Sequence, residues 1–342
     1  MRYPSAYVFA TQFNNLCKFR PNKTDSKIFS IQFHATHMKV LVTGGAGFIG
    51  SALVDRLLKN KDKVTIYDDF SNSTKEKINS LVTRGANLVA GDISDYDALQ
   101  GALSGHDAVV HLAAKIDVQE SMLKPELYQK VNVDGTKNLL KACVKNAIKN
   151  IVAASSAAVY GIPKTLPITE DSQVLPLSPY GKTKVDMENL LKEYSKNHDL
   201  NCISLRFFNV YGKGQTDAYA GVITKFLQKI KEQKPLVIFG DGKNTRDFVF
   251  IDDVIDAILL SLKNIEGKKG DIYNIATGVH CTINELAQLM LSIAKKNLEV
   301  KHEAAREGDI VHSQTSITLA KKELSYEPKV QLREGLEKLF KI

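Results

Sequence analysis

The sequence predicts an α/β fold: a doubly wound parallel sheet covered by helices on both faces, with a smaller C-terminal α/β portion packed on it. Three observations carry that reading. From Lys39 onward, short apolar runs of strand character alternate with longer amphipathic stretches. A glycine-rich turn, Gly44-Gly45-Ala46-Gly47-Phe48-Ile49-Gly50, follows the first such run directly. Tyr180 and Lys184 stand four residues apart on a helical pattern, 130 residues beyond Gly50, and positions i and i+4 share one helix face.

Taken in order, Lys39–Thr43 (KVLVT) reads as a buried strand and Phe48–Asn60 as the helix that leaves the glycine turn. Lys63–Tyr67 is a second strand, Lys75–Thr83 a helix, Asn87–Ala90 a third strand and Ala108–Leu112 a fourth. One long helix is expected across roughly Leu123–Asn146, then a fifth strand at Ile151–Ala154, a helix at Tyr180–Lys196 and a sixth strand at Cys202–Phe207. Beyond about residue 208 the rhythm changes. Helical patterns at 222–233, 252–264 and 282–296 are separated by glycine-rich turns and short strands such as Leu236–Phe239 and Asp247–Ile251. The expected divisions are therefore a leader at 1–37, a dinucleotide-binding domain at 38–208 and a mainly substrate-binding portion at 209–342, with some crossing back of the chain.

Composition narrows the function classes. Hydrophobic residues make up 44% and charged residues 25% of the 342, ordinary for a water-soluble globular chain. No apolar run approaches the roughly 18 residues that a membrane helix needs. Cys17, Cys143, Cys202 and Cys281 are scattered, which suits reduced thiols in a cytoplasmic protein and suggests no metal site. The net charge of +8 is uneven: Arg2, Lys18, Arg20, Lys23 and Lys27 face only Asp25 in the leader, which holds half the excess. The remaining lysines are mixed among acids, so nucleic-acid binding is not expected. The leader lacks sustained periodicity. An upstream start, with Met38 the true first residue, is the favoured reading of it; a basic presequence and a disordered arm are the alternatives.

The turn Gly45-x-Gly47-x-x-Gly50 lies between a strand and a helix, the context in which glycines let a backbone approach a pyrophosphate at a helix N-terminus. Gly44, Gly47, Phe48, Ile49 and Gly50 are therefore candidate cofactor contacts. Asp68 closes the second strand, 18 residues after Gly50, where a carboxylate accepts hydrogen bonds from an adenosine ribose and repels a 2′-phosphate. NAD is favoured over NADP. Asp92 and Ile93 after the third strand could reach an adenine, or form a plain surface turn. Leu112, Ala113 and Ala114 follow His111 with small residues where a flat cofactor could lie. A tyrosine loses its proton near pH 10, and the Lys184 charge is expected to pull that value down so that Tyr180 can act as a base.

With these residues in place the chain resembles the extended short-chain dehydrogenases/reductases, specifically their nucleotide-sugar 4-epimerase branch. The motifs occur in order: VTGGAGFIGS (42–51), YDDFS (67–71), GDI (91–93), HLAA (111–114), NVDGT (132–136), SSAAVYG (155–161), YGKTK (180–184), RFFNVYG (206–212), GDGKNTRDFVFIDDV (240–254) and REGDI (306–310). The resemblance covers 39–342 and implies a Rossmann domain, bound NAD, a UDP-sugar substrate and a homodimer joined through the helices near 123–146 and Tyr180. It implies that Tyr180 takes the proton of the sugar 4′-hydroxyl while hydride passes to NAD, and that the 4-keto sugar turns and is reduced on its other face. Ser156 would bond the 4′-oxygen, Lys184 the nicotinamide ribose, and Asn132 would lie among the cofactor contacts. Asn209, Arg246 and Arg306 would hold the diphosphate and Asp309 the nucleotide ribose.

Local residues bear on which branch reaction is run. Dehydratase and decarboxylase relatives carry carboxylates just before the valine of this segment, whereas this chain has Ala157 and Ala158 before Val159. Ser313, four residues after Asp309, stands where relatives restricted to glucose and galactose carry tyrosine, so N-acetylated sugars are expected to enter. A 4,6-dehydratase, a uronate 4-epimerase and a non-catalytic NAD-binding regulator are the competing readings.

Overall fold

A computed structural model describes residues 37–215, 221–305 and 311–341. The leader expectation for 1–37 lies outside them, His37 excepted. β1 (Lys39–Thr43) is buried after its first residue, as a strand covered on both faces must be. It pairs in parallel with β2 (Lys63–Asp68) on one side and β4 (Ala108–His111) on the other. β3 (Asn87–Ala90) extends the sheet beyond β2, and β5 (Asn150–Ser156) and β6 (Asn201–Phe207) extend it beyond β4. Alternate side chains feed two cores. Val40, Val42, Val110, Val152 and Ile203 pack into one, while Leu41, Val109, Ile151 and Cys202 pack into the other.

The helices α1 (Phe48–Lys59), α2 (Lys75–Thr83) and α3 (Tyr96–Ala102) occupy the first three crossovers; α3, capped by Asp95 Oδ1 on the Ala98 N–H at 3.1 Å, had no clear sequence signal. The single helix expected across 123–146 is instead three pieces, preceded by a separate helix that ends at Leu123. α4 (Val118–Leu123) stops at Lys124, whose backbone (φ −133°, ψ 53°) is driven out of the helical region by the following proline. α5 (Pro125–Tyr128) restarts with Pro125 in its first turn, a wide π-type turn spans Gln129–Asp134, and α6 (Gly135–Lys145) completes the crossover. The wide turn directs Asn132 into the interior, where it is 2% exposed.

α7 (Pro179–His198) carries the Tyr/Lys pattern and is fixed at its start by Ser178, whose hydroxyl accepts the Gly181 N–H at 3.1 Å. After β6 come β7 (Asn209–Tyr211), α8 (Val222–Lys231), β8 (Leu236–Phe239), β9 (Thr245–Arg246) and β10 (Phe248–Phe250). The strand expected over 247–251 is shorter because Ile251 already opens α9 (Ile251–Lys263). α9 packs on α1 and against β5 and β6, and Arg56 of α1 reaches Asp256 of α9 at 2.7 Å. β11 (Lys269–Ile275) then joins the main sheet beside β6, giving the seven-strand order β11-β6-β5-β4-β1-β2-β3. Beyond it lie β12 (Cys281–Thr282), α10 (Ile283–Ala294), β13 (Val300–Glu303), α11 (Thr318–Leu324) and α12 (Leu332–Phe340). Among the described residues β7 pairs with β10, β9 with β12 and β8 with β13 as small two-stranded sheets at the carboxyl side of the main sheet.

Candidate active site

The ends of β1, β2, β4 and β5 open into a cavity of about 350 Å³, at the carboxyl edge where parallel α/β sheets place ligands. The glycine turn is its floor. Gly44 has φ +67°, and a Cβ on it would lie 2.7 Å from the Ala113 nitrogen. A Cβ on Gly50 would overlap the Gly44 oxygen and lie 2.7 Å from the Gly45 Cα. Neither position tolerates a side chain, and α1 begins at Gly47 without a side-chain cap. Gly44, Gly47, Phe48, Ile49 and Gly50 all line the cavity.

Asp68 borders the same space. Its carboxylate accepts the Ala46 N–H at 2.9 Å and the Phe70 N–H at 2.8 Å, so it also braces the glycine turn. Burial pushes this carboxyl above the usual range, opposed by the bonds from Phe70 and Ala46. Asp92 and Ile93 line the cavity too, with the Asp92 side chain accepting the Ser94 N–H at 2.8 Å. Leu112, Ala113 and Ala114 form the opposite wall. Asn132 does not border the cavity: its amide donates to the Lys115 carbonyl at 2.9 Å and to Thr183 Oγ1 at 3.0 Å, and its Oδ1 accepts the Lys115 N–H at 2.8 Å. It holds the wall from behind.

Ser156, Tyr180 and Lys184 meet at the inner end. Tyr180 is 9% exposed and Lys184 4%; the ammonium lies 6.0 Å from the phenol ring centroid and donates to the Ala154 carbonyl at 2.8 Å. Gly181 lets the start of α7 lie hard against the segment after β5, since a Cβ there would lie 2.7 Å from the Ala158 oxygen. Burial holds the Tyr180 phenol above its ordinary pKa, opposed by its hydrogen bond with Ser156. The expected downward pull of Lys184 is not among the causes acting on the phenol; only Ser156 opposes burial. The same burial draws the Lys184 ammonium down to about 8, against the upward pull of Glu188.

A second cavity of about 510 Å³ continues from the first. Ile116, Phe208, Val210 and Gln215 border both. Its far end is formed by Val237, Ile238, Phe239, Asn244, Arg246 and Phe248. Asn209 lines it, donating its amide to the Asp247 carbonyl at 3.0 Å. Arg246 lines it as well, with Nη1 on the Thr245 carbonyl at 2.9 Å. Ser313 is 7% exposed beside Thr245 and borders neither cavity. Arg306 and Asp309 lie outside the described residues.

Sequence reading passed over Lys115, Ser71, Phe208 and Gln215, all of which line the cleft. Lys115 reaches across to Ser71 Oγ at 3.4 Å. Its place directly after HLAA was the available signal; Ser71 closes YDDFS and Phe208 lies inside RFFNVYG, while Gln215 sits in a loop without a local pattern. Among the described residues no group of His, Cys, Asp and Glu could hold a metal ion, and no helix is long and apolar enough to cross a membrane.

A glycine turn without room for side chains, a carboxylate closing the second strand and a buried Tyr/Lys pair in one cleft define a Rossmann-type dinucleotide protein with hydroxyl-directed redox chemistry. The chain belongs to the NAD dependent epimerase/dehydratase family, whose pattern matches residues 40–276. A putative UDP-glucose 4-epimerase of Methanocaldococcus jannaschii is 38% identical over 304 residues, covering 88% of this chain and 96% of that one. Among solved structures, the UDP-N-acetylglucosamine 4-epimerase from Methanobrevibacter ruminantium in complex with UDP-N-acetylmuramic acid superposes with a TM-score of 0.83 at 35% identity, covering 89% of this chain and 99% of that one. The UDP-glucose 4-epimerase of Thermotoga maritima with UDP-glucose gives 0.81 at 35% identity, covering 88% and 97%.

Proposed function

We propose that this protein interconverts UDP-sugars that differ in configuration at C4, using a retained NAD. The observation that carries the reading is the junction of the two cavities, with Ser156, Tyr180 and Lys184 on the first and Arg246 at the far end of the second. The cradle at Gly44 and Gly50, too close for any Cβ, and the Asp68 carboxylate fit a dinucleotide. Those residues, with Asp92, Ile93, Leu112, Ala113, Ala114 and Lys115, would hold it. When bound, NAD supplies a reversible hydride acceptor that makes a 4-keto sugar accessible and returns the hydride to it.

The chain's own residues move the proton and hold the sugar. Tyr180 accepts the proton of the C4 hydroxyl and gives it back, while Ser156 holds the oxygen and passes the proton. Lys184 supplies the positive charge that favours the phenolate. Ala157 and Ala158 stand where an eliminating enzyme needs carboxylates, so nothing there shifts a proton at C5 or C6. Arg246 and Asn209 suit the diphosphate, the first through a planar, permanently charged guanidinium. Arg306 and Asp309 are assigned beside them; Ser313, buried beside Thr245 and bordering neither cavity, bears on an N-acetyl group only by being too small to project into the sugar space. The cofactor falls to residues before 208 and the nucleotide sugar mainly to 209–342.

A cytoplasmic homodimer is part of the same proposal. The free thiols of Cys143, Cys202 and Cys281 suit a reducing compartment. Met122, Leu123, Leu175 and Leu177 leave apolar surface around α4 and the approach to α7, which suits a self-pairing face.

The test is NMR of the purified protein with UDP-glucose, UDP-GlcNAc and UDP-glucuronate in separate tubes, without added NAD. The C4 epimer of glucose and of GlcNAc should appear. A 4-keto-6-deoxy product, or an epimer only of the uronate, overturns the assignment.

A further inference from the structure

Three consecutive residues of β5 meet three residues spaced one turn apart on α7. Ser156 faces Tyr180 and lowers the pKa of its phenol, the Ala154 carbonyl accepts Lys184 Nζ at 2.8 Å, and Ser155 Oγ donates to Glu188 Oε1 at 2.5 Å. The first two contacts belong to the site already described. The third points into the layer beneath it. Glu188 is 5% exposed and takes Arg206 in a two-pronged grip, Nε on Oε1 at 2.9 Å and Nη2 on Oε2 at 2.7 Å. Arg206 Nη1 continues to the Tyr160 hydroxyl at 2.8 Å and the Glu170 carbonyl at 3.3 Å. The Tyr160 hydroxyl donates to Asn274 Oδ1 on β11 at 2.6 Å, and the Asn274 N–H returns to Glu170 Oε1 at 2.7 Å.

A buried ion pair of this kind adds little net stability over apolar residues of the same volume. The location supplies the reason for one here: Glu188 lies one turn below Lys184, the cation of the cleft. We propose that Glu188 is a positioning residue for the reaction, whose carboxylate, locked by Arg206 and Ser155, keeps Lys184 charged and aimed at Tyr180. The role in turnover rests on the epimerase reading; the effect on the charge of Lys184 does not.

The neighbours leave Glu188 as the group that matters. Facing the pair are Tyr180 on α7, His111 on β4, Arg206 on β6, Tyr160 and Glu170 between β5 and α7, and the neutral Asn274 on β11. Burial, with the Lys184 charge second, draws His111 down to about 3, so it is neutral. Burial pushes Tyr160 up to about 12, keeping it neutral as well. Burial lowers Lys184 to about 8 and Glu188 works against it. Loss of the Glu188 charge must therefore move the Lys184 titration to lower pH.

The experiment follows the Lys184 side chain directly, by pH titration of the 13Cε signal in lysine-labelled protein, with the resonance identified by its loss in Lys184→Met. In Glu188→Gln the midpoint should fall by about one pH unit, while Glu188→Asp should retain most of the wild-type value. Since Glu188→Gln leaves Arg206 buried and unpaired, the neutral double variant Glu188→Gln/Arg206→Gln serves where the single one unfolds; it removes a cation along with the nearer carboxylate, so its midpoint should fall by less but in the same direction. Turnover in both should fall more at pH 9 than at pH 7. An unchanged midpoint in either folded variant, with only thermal stability reduced, reduces Glu188 to a structural role and overturns the proposal. A shifted midpoint in protein that fails to epimerise any UDP-sugar would sustain it and sink the epimerase reading.

Discussion

The Thr43 hydroxyl lies 2.8 Å from His111 Nδ1, across the seam between β1 and β4. Thr43 Oγ1 also accepts the Leu112 and Ala113 N–H groups at 3.2 Å each, so its proton goes to Nδ1. The proton of the ring then sits on Nε2 and is donated to Thr136 Oγ1 at 3.0 Å, whose own hydroxyl donates to the Asn132 carbonyl at 2.5 Å. A neutral histidine completes this chain, and an imidazolium would place a donor against a donor.

That arrangement makes stability pH-dependent. His111 titrates near 6.5 unfolded but near 3 folded, so below pH 6.5 the unfolded state binds the extra proton and stability falls with pH. The expected loss between pH 7 and pH 5 is about 2 kcal/mol, read by urea unfolding at each pH. His111→Gln should lack this component. An equal loss in wild type and variant would show that other groups set the acid limb.

Tyr180→Phe removes the proposed proton acceptor and keeps the aromatic ring. Turnover should drop by about 10²–10⁴-fold while NAD content and melting temperature stay near wild type. Ser156→Ala should lose less, since a second hydroxyl remains on Tyr180. Turnover by Tyr180→Phe near the wild-type rate would remove Tyr180 from its assigned role.

Asp68→Asn tests a double duty. The carboxylate accepts N–H groups on both oxygens, and an amide must turn its NH₂ toward one of them. Stability should fall by about 1–3 kcal/mol, and the purified protein should carry less NAD, measured by absorbance of the acid-released nucleotide. Full NAD occupancy in the variant would rule out Asp68 as a cofactor anchor.

Two glycines should respond in opposite directions. Gly50→Ala drives a methyl into the Gly44 oxygen, and the protein should lose its NAD and unfold at lower temperature. Gly101 sits in α3, where an alanine methyl would meet nothing within 4 Å, so Gly101→Ala should gain about 0.5–1 kcal/mol. Equal tolerance at both sites, read from the two melting temperatures, would contradict the close packing of the turn.

Much of the site was legible because its signals are local. A strand that ends in glycines, an acid at the end of the next strand and a Tyr/Lys pair on one helix face are each complete within a few residues. Six of the seven sheet strands announced themselves as short apolar runs for the same reason. β11 did not, because its sequence KGDIYNI reads as strand only once β6 is beside it.

What the sequence determined by itself was the glycine turn behind the first strand, the Tyr180/Lys184 spacing on one helix face and the absence of carboxylates at Ala157 and Ala158. Tertiary structure decided the rest. It broke the predicted long helix at Pro125 and turned Asn132 behind the cofactor wall. It also joined Tyr160 to Asn274, 114 residues away, to support Arg206 and Glu188. The charge states changed most: the spacing of Tyr180 and Lys184 foretold a lowered phenol pKa, yet burial raises it and lowers that of Lys184 as well. Desolvation depends on everything that surrounds a group in space, and no window of sequence contains that.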